Sequence, residues 1–496
     1  MSLPMDALNR PLKLPCGAML PNRLAKSAMT EGLADEYNRA TERHVRLYTE
    51  WSSGCGLLVT GNIQIDRRYM ERPGNVAIDG KQDELALNGL RKFAAAATQH
   101  GNHCWAQIAH AGRQSHKTVS IQGVAPSAIG FESPGAALGP LDPIGKPAVP
   151  RALTEGEVID IVEKFAYAAA VCKEAGFTGV QLHGAHGYLL SSFLNPRANI
   201  RNDPYGGSLA NRARILLDSV KAVRTAVGPD FPVSVKLNSS DFQQGGFTTE
   251  DAAGVAGMLD ALGLDLLEIS GGNYENPAIL GGPSWWQEVT GADTGETRKD
   301  VSQSTMVREA YFLSYAKDIR AAMKRTPLMV TGGMRSADVM AAALLADCDV
   351  IGVGRPLCGG PHCVDDLLSG RISALPRYEN TLQLPRLLRF LSRFAVGRIA
   401  LVGGVQQWYY RQLLFLGDTG SVADNLSPLA QLGWMESYEH RTAASLKGPQ
   451  VAACVGTALN PPPKSLMTKM RLPLAAAAVA LLAMKLLTMK SQRARL

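Results

Sequence analysis

No two cysteines of this 496-residue chain form a C-x-x-C pair; the eight are scattered at positions 16, 55, 104, 172, 348, 358, 363 and 454. That spacing argues against a zinc knuckle and against an iron–sulfur cluster. An apolar segment at the start is also lacking. A secretory signal is therefore not expected, and reduced, cytosolic thiols are. Cys358 and Cys363 sit near a predicted strand end, where packing and redox roles both stay open.

The body of the chain lacks net charge. The formal total is +7, and seven basic residues between Lys464 and Leu496, with no acidic ones, account for all of it. Residues 1–463 thus offer no electrostatic reason to bind nucleic acid. The excess surrounds one apolar tail and points to a membrane surface.

What is present is a repeated alternation. Short apolar runs ending in small or polar residues occur at Leu24–Ala28, Leu57–Asn62, His103–Ala109, Gly179–His183, Val233–Leu237, Leu266–Ser270, Leu328–Thr331 and Val350–Val353. Helical patterns intervene, among them Leu85–Thr98, Glu155–Ala175, Leu209–Val227, Thr248–Leu262, Met306–Met323 and Ala337–Leu345. The runs are continuously apolar, as expected of parallel strands covered on both faces. Eight such units predict an α/β fold, a (β/α)8 TIM barrel, over residues 1–370. A helical extension and linker are expected over 371–463, and a basic-flanked tail over 464–496. Two connections, Gln114–Pro150 and Gly271–Gln303, exceed simple loops; the second carries Tyr274, Trp285 and Trp286. Long loops at barrel strand ends build binding sites or pack on themselves.

The densest chemistry lies in Gln181–Gly207, reading QLHGAHGYLLSSFLNPRANIRNDPYGG. A strand end here delivers His183, His186 and Tyr188 to one place, the makings of a proton-transfer and oxygen-binding site. A metal pair and satisfied packing histidines are the alternatives, and no third ligand of suitable spacing is seen. Ser208 is placed to cap the following helix. Further on, strand seven ends in Thr331-Gly332-Gly333-Met334-Arg335 and strand eight in Gly352-Val353-Gly354-Arg355. Glycines admit a phosphate to backbone N–H groups, an arginine neutralises it, and barrels often hold phosphate in these two loops. Ordinary glycine turns are the competing explanation.

The composite H-x-x-H-G-Y, then F-L-x-P-x-x-N-x-R-x-D-x-Y-G-G, resembles the Old Yellow Enzyme family of FMN-dependent NAD(P)H oxidoreductases. The resemblance covers roughly residues 8 to 370. It implies FMN as cofactor, with NADPH or NADH as transient hydride donor, and no metal. It places Ser27, Ala28, Met29 and Thr30 along the flavin. Gly61 would leave room for the flat ring, Gln107 would bond its pyrimidine side, and Lys236 would stabilise negative charge on it. Many family members have arginine at the Lys236 position, so bidentate geometry is lost and charge kept. Gly332, Gly333, Gly354 and Arg355 match the phosphate site. His110 and Arg113 fit either a site or a structural role. By the same resemblance His183 and His186 hold a substrate carbonyl oxygen and Tyr188 is the proton donor. The implied activity is reduction of activated alkenes such as enones and enals. Alternatives are nitro or dienoyl ester reduction or demethylation on the same barrel, or a membrane-tethered barrel without turnover.

Two departures stand out. Some relatives place a substrate-contacting aromatic where this chain has Gly32, so a pocket that is more open, or shaped by Tyr37, Tyr69 or the aromatic loop, is expected. The G-x-G-x-x-G turn and cysteine cluster of long family members are missing. Within the extension, Leu384–Phe394 is basic and amphipathic, and Val405–Leu416 carries Trp408, Tyr409 and Tyr410; helices packed on the barrel are expected. After Pro461-Pro462-Pro463, residues 472–489 form an apolar run of about 27 Å as a helix, with Lys485 as its one charge. A cytoplasm-facing protein, tail-anchored to an intracellular membrane, is the expectation; a surface-lying helix or a disordered tail are the alternatives.

Overall fold

Eight parallel strands pair in a ring: β1 (Leu24–Lys26), β2 (Leu57–Val59), β3 (His103–Ala109), β4 (Gly179–Gly184), β5 (Val233–Asn238), β6 (Leu266–Ser270), β7 (Leu328–Thr331) and β8 (Val350–Val353). Each pairs with its sequence neighbours, and β8 with β1 closes the cylinder. This is the closed (β/α)8 barrel expected from the sequence. The computed structural model describes residues 3–130, 148–271, 315–383, 395–431 and 434–447. The aromatic loop residues Tyr274, Trp285 and Trp286, the stretch 384–394, and the apolar run 472–489 lie outside the described residues. Among the described residues no helix is long and apolar enough to cross a membrane.

Two predicted strands end early. β1 stops at Lys26 and β2 at Val59 because the chain leaves the ladder there to form the mouth loops. One further bond follows each: Ser27 N–H donates to Val353 and Thr60 N–H to Trp105. The surrounding helices include α1 (Glu42–Trp51), α2 (Glu84–Thr98), α3 (Glu155–Glu174), α4 (Leu209–Val227), α5 (Thr249–Ala261) and α6 (Ala337–Ala346). Their starts are set locally. Thr154 and Glu157 form a capping box on α3, Thr248 and Asp251 another on α5, and the Ser208 hydroxyl accepts from Asn211 N–H on α4, as predicted.

The barrel interior is layered by the two-residue strand period. Ala25, Leu57, Trp105, Leu266, Met329 and Val350 form an apolar lower layer, continuous with Leu12, Leu14 and Leu20 of an N-terminal hairpin. This cluster is separate from the larger core between strands and helices. Two residues further along the strands the lining turns polar, with Ser27, Gln107, Gln181, Lys236, Glu268 and Thr331. The floor is dry, and the chemistry begins one layer above it.

Beyond the barrel lie α7 (Ala395–Thr419) and α8 (Trp434–Ser445). Met1–Leu446 forms one compact unit. Within it, α7 lies against α1: Arg46 Nε donates to Gly417 O at 2.8 Å, and Arg43 Nε to Asp418 at 2.6 Å.

One glycine in the polar layer has a steric reason to be there. A Cβ on Gly352 would lie 1.9 Å from Thr331 Oγ1 and 2.4 Å from Ser27 Oγ. Gly352→Ala should therefore destabilise the protein by about 3 kcal/mol through overpacking. The midpoint of urea unfolding checks this; an unchanged midpoint would contradict the close packing of the hydroxyl pair.

Candidate active site at the barrel mouth

The polar layer is organised around one buried carboxylate. Glu268 of β6 is fully buried and takes the Lys236 ammonium at 2.9 Å. The same oxygen accepts the Thr331 hydroxyl at 2.7 Å, and the other accepts Gln181 Nε2 at 2.8 Å. Thr331 spends its hydrogen on Glu268, so Ser27 Oγ, 2.8 Å away, is the donor to Thr331. Gln107 Nε2 donates to Gln181 Oε1 at 2.8 Å. Five strands thus share one network, and buried charge is paired, as burial requires. Lys236 was legible as a lysine needing a partner; Glu268 was missed. Its signal was of the same kind, one acidic residue inside the apolar run Leu266-Leu267-Glu268-Ile269.

Above this layer, β4 ends in the predicted trio. The His183 and His186 rings are 5.1 Å apart, and the His183 and Tyr188 rings 4.8 Å, both edge-on. Ala185 N–H donates to His183 Nδ1 at 3.3 Å, which leaves the His183 proton on Nε2. His186 stands at φ +62°, a left-handed conformation unusual for a side-chain-bearing residue. It is held there: its N–H donates to Asn238 Oδ1 at 3.1 Å, and Ser270 Oγ lies 2.9 Å from its Nε2. Asp241 in turn accepts from Asn238 and Asn195, each at 2.7 Å. Asn238, Asp241 and Ser270 were not found in the sequence, because they act on His186 from another strand end. Burial, reinforced by the Lys236 charge, drives both imidazole pKa values well below their usual range, so both rings are neutral at physiological pH.

The downstream half of the motif is a latch. Arg201 is paired with Asp203 and also donates to the carbonyls of Pro126 and Leu153 at 2.8 and 2.5 Å. Asn199 Nδ2 bonds the carbonyls of Phe193 and Tyr205. Gly206 is needed because a Cβ would come 2.1 Å from Arg201 O.

The phosphate candidates lie on β7 and β8. Gly333 has φ +69°, and a Cβ added there would meet nothing within 4 Å. A Cβ at Gly354 would touch only Met29, at 3.4 Å. Arg355 is partly exposed, whereas Arg335 is buried. Glycine backbone with open space beside it, next to two guanidiniums, fits a phosphate monoester. Gln107 and Lys236, at the inner end, fit the carbonyl and nitrogen edge of an isoalloxazine. Thr30 lies 3.4 Å from Asn62 Nδ2, and Met29 lies 3.6 Å from Cys358; Ala28 sits between Ser27 and Met29 on the same turn.

Gly61 has a packing reason of its own, since a Cβ there would meet Glu31 at 1.9 Å and the Met29 carbonyl at 2.5 Å. Glycine is needed because Glu31 accepts the Gly61 N–H at 2.7 Å and is bonded by Tyr48, beside a wholly buried Lys26. Cys358 and Cys363 are buried, which raises both thiols to about 12 and leaves no reactive thiolate. His110 Nδ1 accepts from Gly112 N–H at 3.0 Å, and Tyr69 stacks on its ring. Arg113 is buried. Among the described residues no three His, Cys, Asp or Glu side chains are grouped to hold a metal.

The extension also reaches the mouth. Tyr409 OH on α7 donates to Glu379 Oε2 at 2.6 Å, and Glu379 Oε1 lies 3.6 Å from Arg335 and 3.8 Å from Arg355. Tyr438 OH on α8 donates to the carbonyl of Gly32 at 3.0 Å.

The buried imidazoles set a pH dependence. Burial pushes His44 down to about 3 and His110 to about 4, and lowers His183 and His186 as well. Unfolded imidazoles take a proton near their ordinary pKa, whereas the folded ones do not. Their contribution is intact above about pH 6.5 and is lost as pH falls toward the depressed folded values. Each buried ring should add a slope of up to about 1.4 kcal/mol per pH unit in that window. Urea unfolding at pH 7 and pH 5 measures it, and equal stability at the two would refute the neutral assignment.

Comparison with known proteins agrees with this geometry. The model of the NADH:flavin oxidoreductase / NADH oxidase family matches residues 7–373. The chain is 33% identical over 366 residues to the NADH-dependent flavin oxidoreductase iliE of Hypocrea jecorina, spanning 71% of this chain and 86% of that protein. It is 31% identical over 359 residues to the NADH oxidase of Thermoanaerobacter brockii, across 71% of this chain and 49% of the relative. Among solved structures, morphinone reductase superposes with a TM-score of 0.58 at 25% identity, over 75% of this chain and 91% of that one. A 2-naphthoyl-CoA reductase complex gives 0.63 at 25% identity, over 75% and 54%. With a family model matching residues 7–373 and relatives of this identity, the chain belongs to the NADH:flavin oxidoreductase / Old Yellow Enzyme family and is an FMN-dependent NAD(P)H oxidoreductase.

Proposed function

We propose that this enzyme reduces carbon–carbon double bonds conjugated to a carbonyl. The observation that carries the reading is the convergence of two neutral imidazoles and a phenol at the end of β4. Bound FMN supplies the hydride, taken beforehand from NADH or NADPH. Ser27, Ala28, Met29 and Thr30 would line the ring, Gln107 and Lys236 its pyrimidine edge, and Gly332, Gly333, Gly354 and Arg355 the phosphate.

The protein's own share is to polarise, orient and protonate. Neutral His183, with its proton on Nε2, would suit hydrogen bonding to a substrate carbonyl oxygen. His186, pinned by Asn238 and Ser270, would hold the same oxygen from a second direction. Drawing charge onto that oxygen makes the β-carbon electrophilic. Tyr188, packed on the His183 edge, would then pass its phenolic proton to the α-carbon. Lys236, paired with Glu268, would favour a negative ring.

Tyr188→Phe separates the two half-reactions. Reduction of an enone by the reduced enzyme should fall about 10²- to 10³-fold, with bleaching of the flavin by NAD(P)H retained. Stopped-flow absorbance reads both, and an undiminished enone rate would remove Tyr188 as the acid. For residues 472–489 we propose contact with an anionic membrane surface, supported by their apolar composition and basic flanks. The full chain should sediment with phosphatidylserine vesicles and lose that property on deletion of 464–496; retention in the supernatant before deletion would reject the contact.

A further inference from the structure

The family match ends at residue 373, yet a carboxylate that faces both Arg335 and Arg355 comes after it. Glu379 lies in the short helix Tyr378–Thr381, and its Oε2 is tied to the Tyr409 hydroxyl at 2.6 Å. Its Oε1 faces Arg335 at 3.6 Å and Arg355 at 3.8 Å. Charge-assisted N–H···O bonds close to about 2.7–2.9 Å when nothing restrains them. Glu379 thus pairs with both guanidiniums about 1 Å beyond that distance, while its other oxygen is bonded to the extension. Tyr409 is buried and firmly placed, its ring edge-on to Trp408 at 5.2 Å, with Trp408 also against Tyr378 at 5.2 Å.

Two guanidiniums this close repel. Burial and the neighbouring Arg355 charge lower the Arg335 pKa. An anion between them relieves the repulsion in the absence of cofactor. The same anion competes with a phosphate for those arginines, and the closer it comes the more it competes. We propose that Glu379 is a built-in competitor for the FMN phosphate site, and that the Tyr409 hydroxyl of the extension restrains it so that FMN prevails. Residues beyond the family barrel thus set cofactor affinity. The proposal rests on the assignment of Gly333, Gly354 and Arg355 to the phosphate.

The test uses the full-length chain stripped of flavin and titrated with FMN or riboflavin, followed by quenching of flavin fluorescence. Riboflavin shares the ring and lacks the phosphate. Tyr409→Phe frees Glu379 to close on Arg355, so the Kd for FMN should rise roughly tenfold while that for riboflavin stays within about twofold. Glu379→Gln removes the competitor, so FMN should bind at least as tightly as to the parent. The double variant Y409F/E379Q should recover FMN affinity to within about threefold of the parent, which also shows that the Tyr409 change leaves the fold intact. Unchanged FMN affinity in Y409F overturns the proposal. So does equal weakening of FMN and riboflavin, or a double variant no better than Y409F. A parent chain that binds neither flavin would sink the flavin assignment itself, and this proposal with it.

Discussion

The Glu268 carboxylate is the constraint on which the mouth of this barrel depends. A charge buried to this degree is tolerated only when its oxygens are fully engaged. Glu268 meets that demand with donors from three other strands, Gln181 on β4, Lys236 on β5 and Thr331 on β7. Ser27 and Gln107 join at one remove. Satisfying one carboxylate therefore fixes side chains around most of the ring. Lys236 cannot turn away without stranding Glu268, and burial beside Lys236 disfavours protonation of His183 on the neighbouring strand.

The two imidazoles are set by different means. His183 is placed by the ladder, since it is the register partner of Lys236. His186 is placed by a loop in a conformation that side-chain-bearing residues rarely adopt, and it stays there because Asn238, Asp241 and Asn195 form a relay behind it. Strain of this sort persists when surrounding bonds over-determine it. The first histidine inherits its position from the fold, and the second is held by a dedicated support.

The barrel was legible because parallel strands covered on both faces leave continuous apolar runs, and six of the eight predicted strands share their first residue and end within one residue of the observed elements. The trio His183, His186 and Tyr188 was legible because all three lie within six positions. The misses are long-range. Glu268 is 32 residues from Lys236, and Glu379 is 30 residues from Tyr409 and reaches arginines of two other loops. A glycine marks close approach of some group, and sequence alone did not reveal that Glu31 approaches Gly61.

The latch built by Arg201 joins loops that follow two different strands. Its guanidinium ties Asp203, after β4, to the carbonyls of Pro126 and Leu153, which lie between β3 and α3. None of its bonds reaches the imidazoles. The long signature that makes such chains easy to recognise is therefore mostly masonry. A homologue that kept every latch residue and exchanged the two histidines would present the same frame around a different reaction, so inheritance of the signature and inheritance of the chemistry are separable.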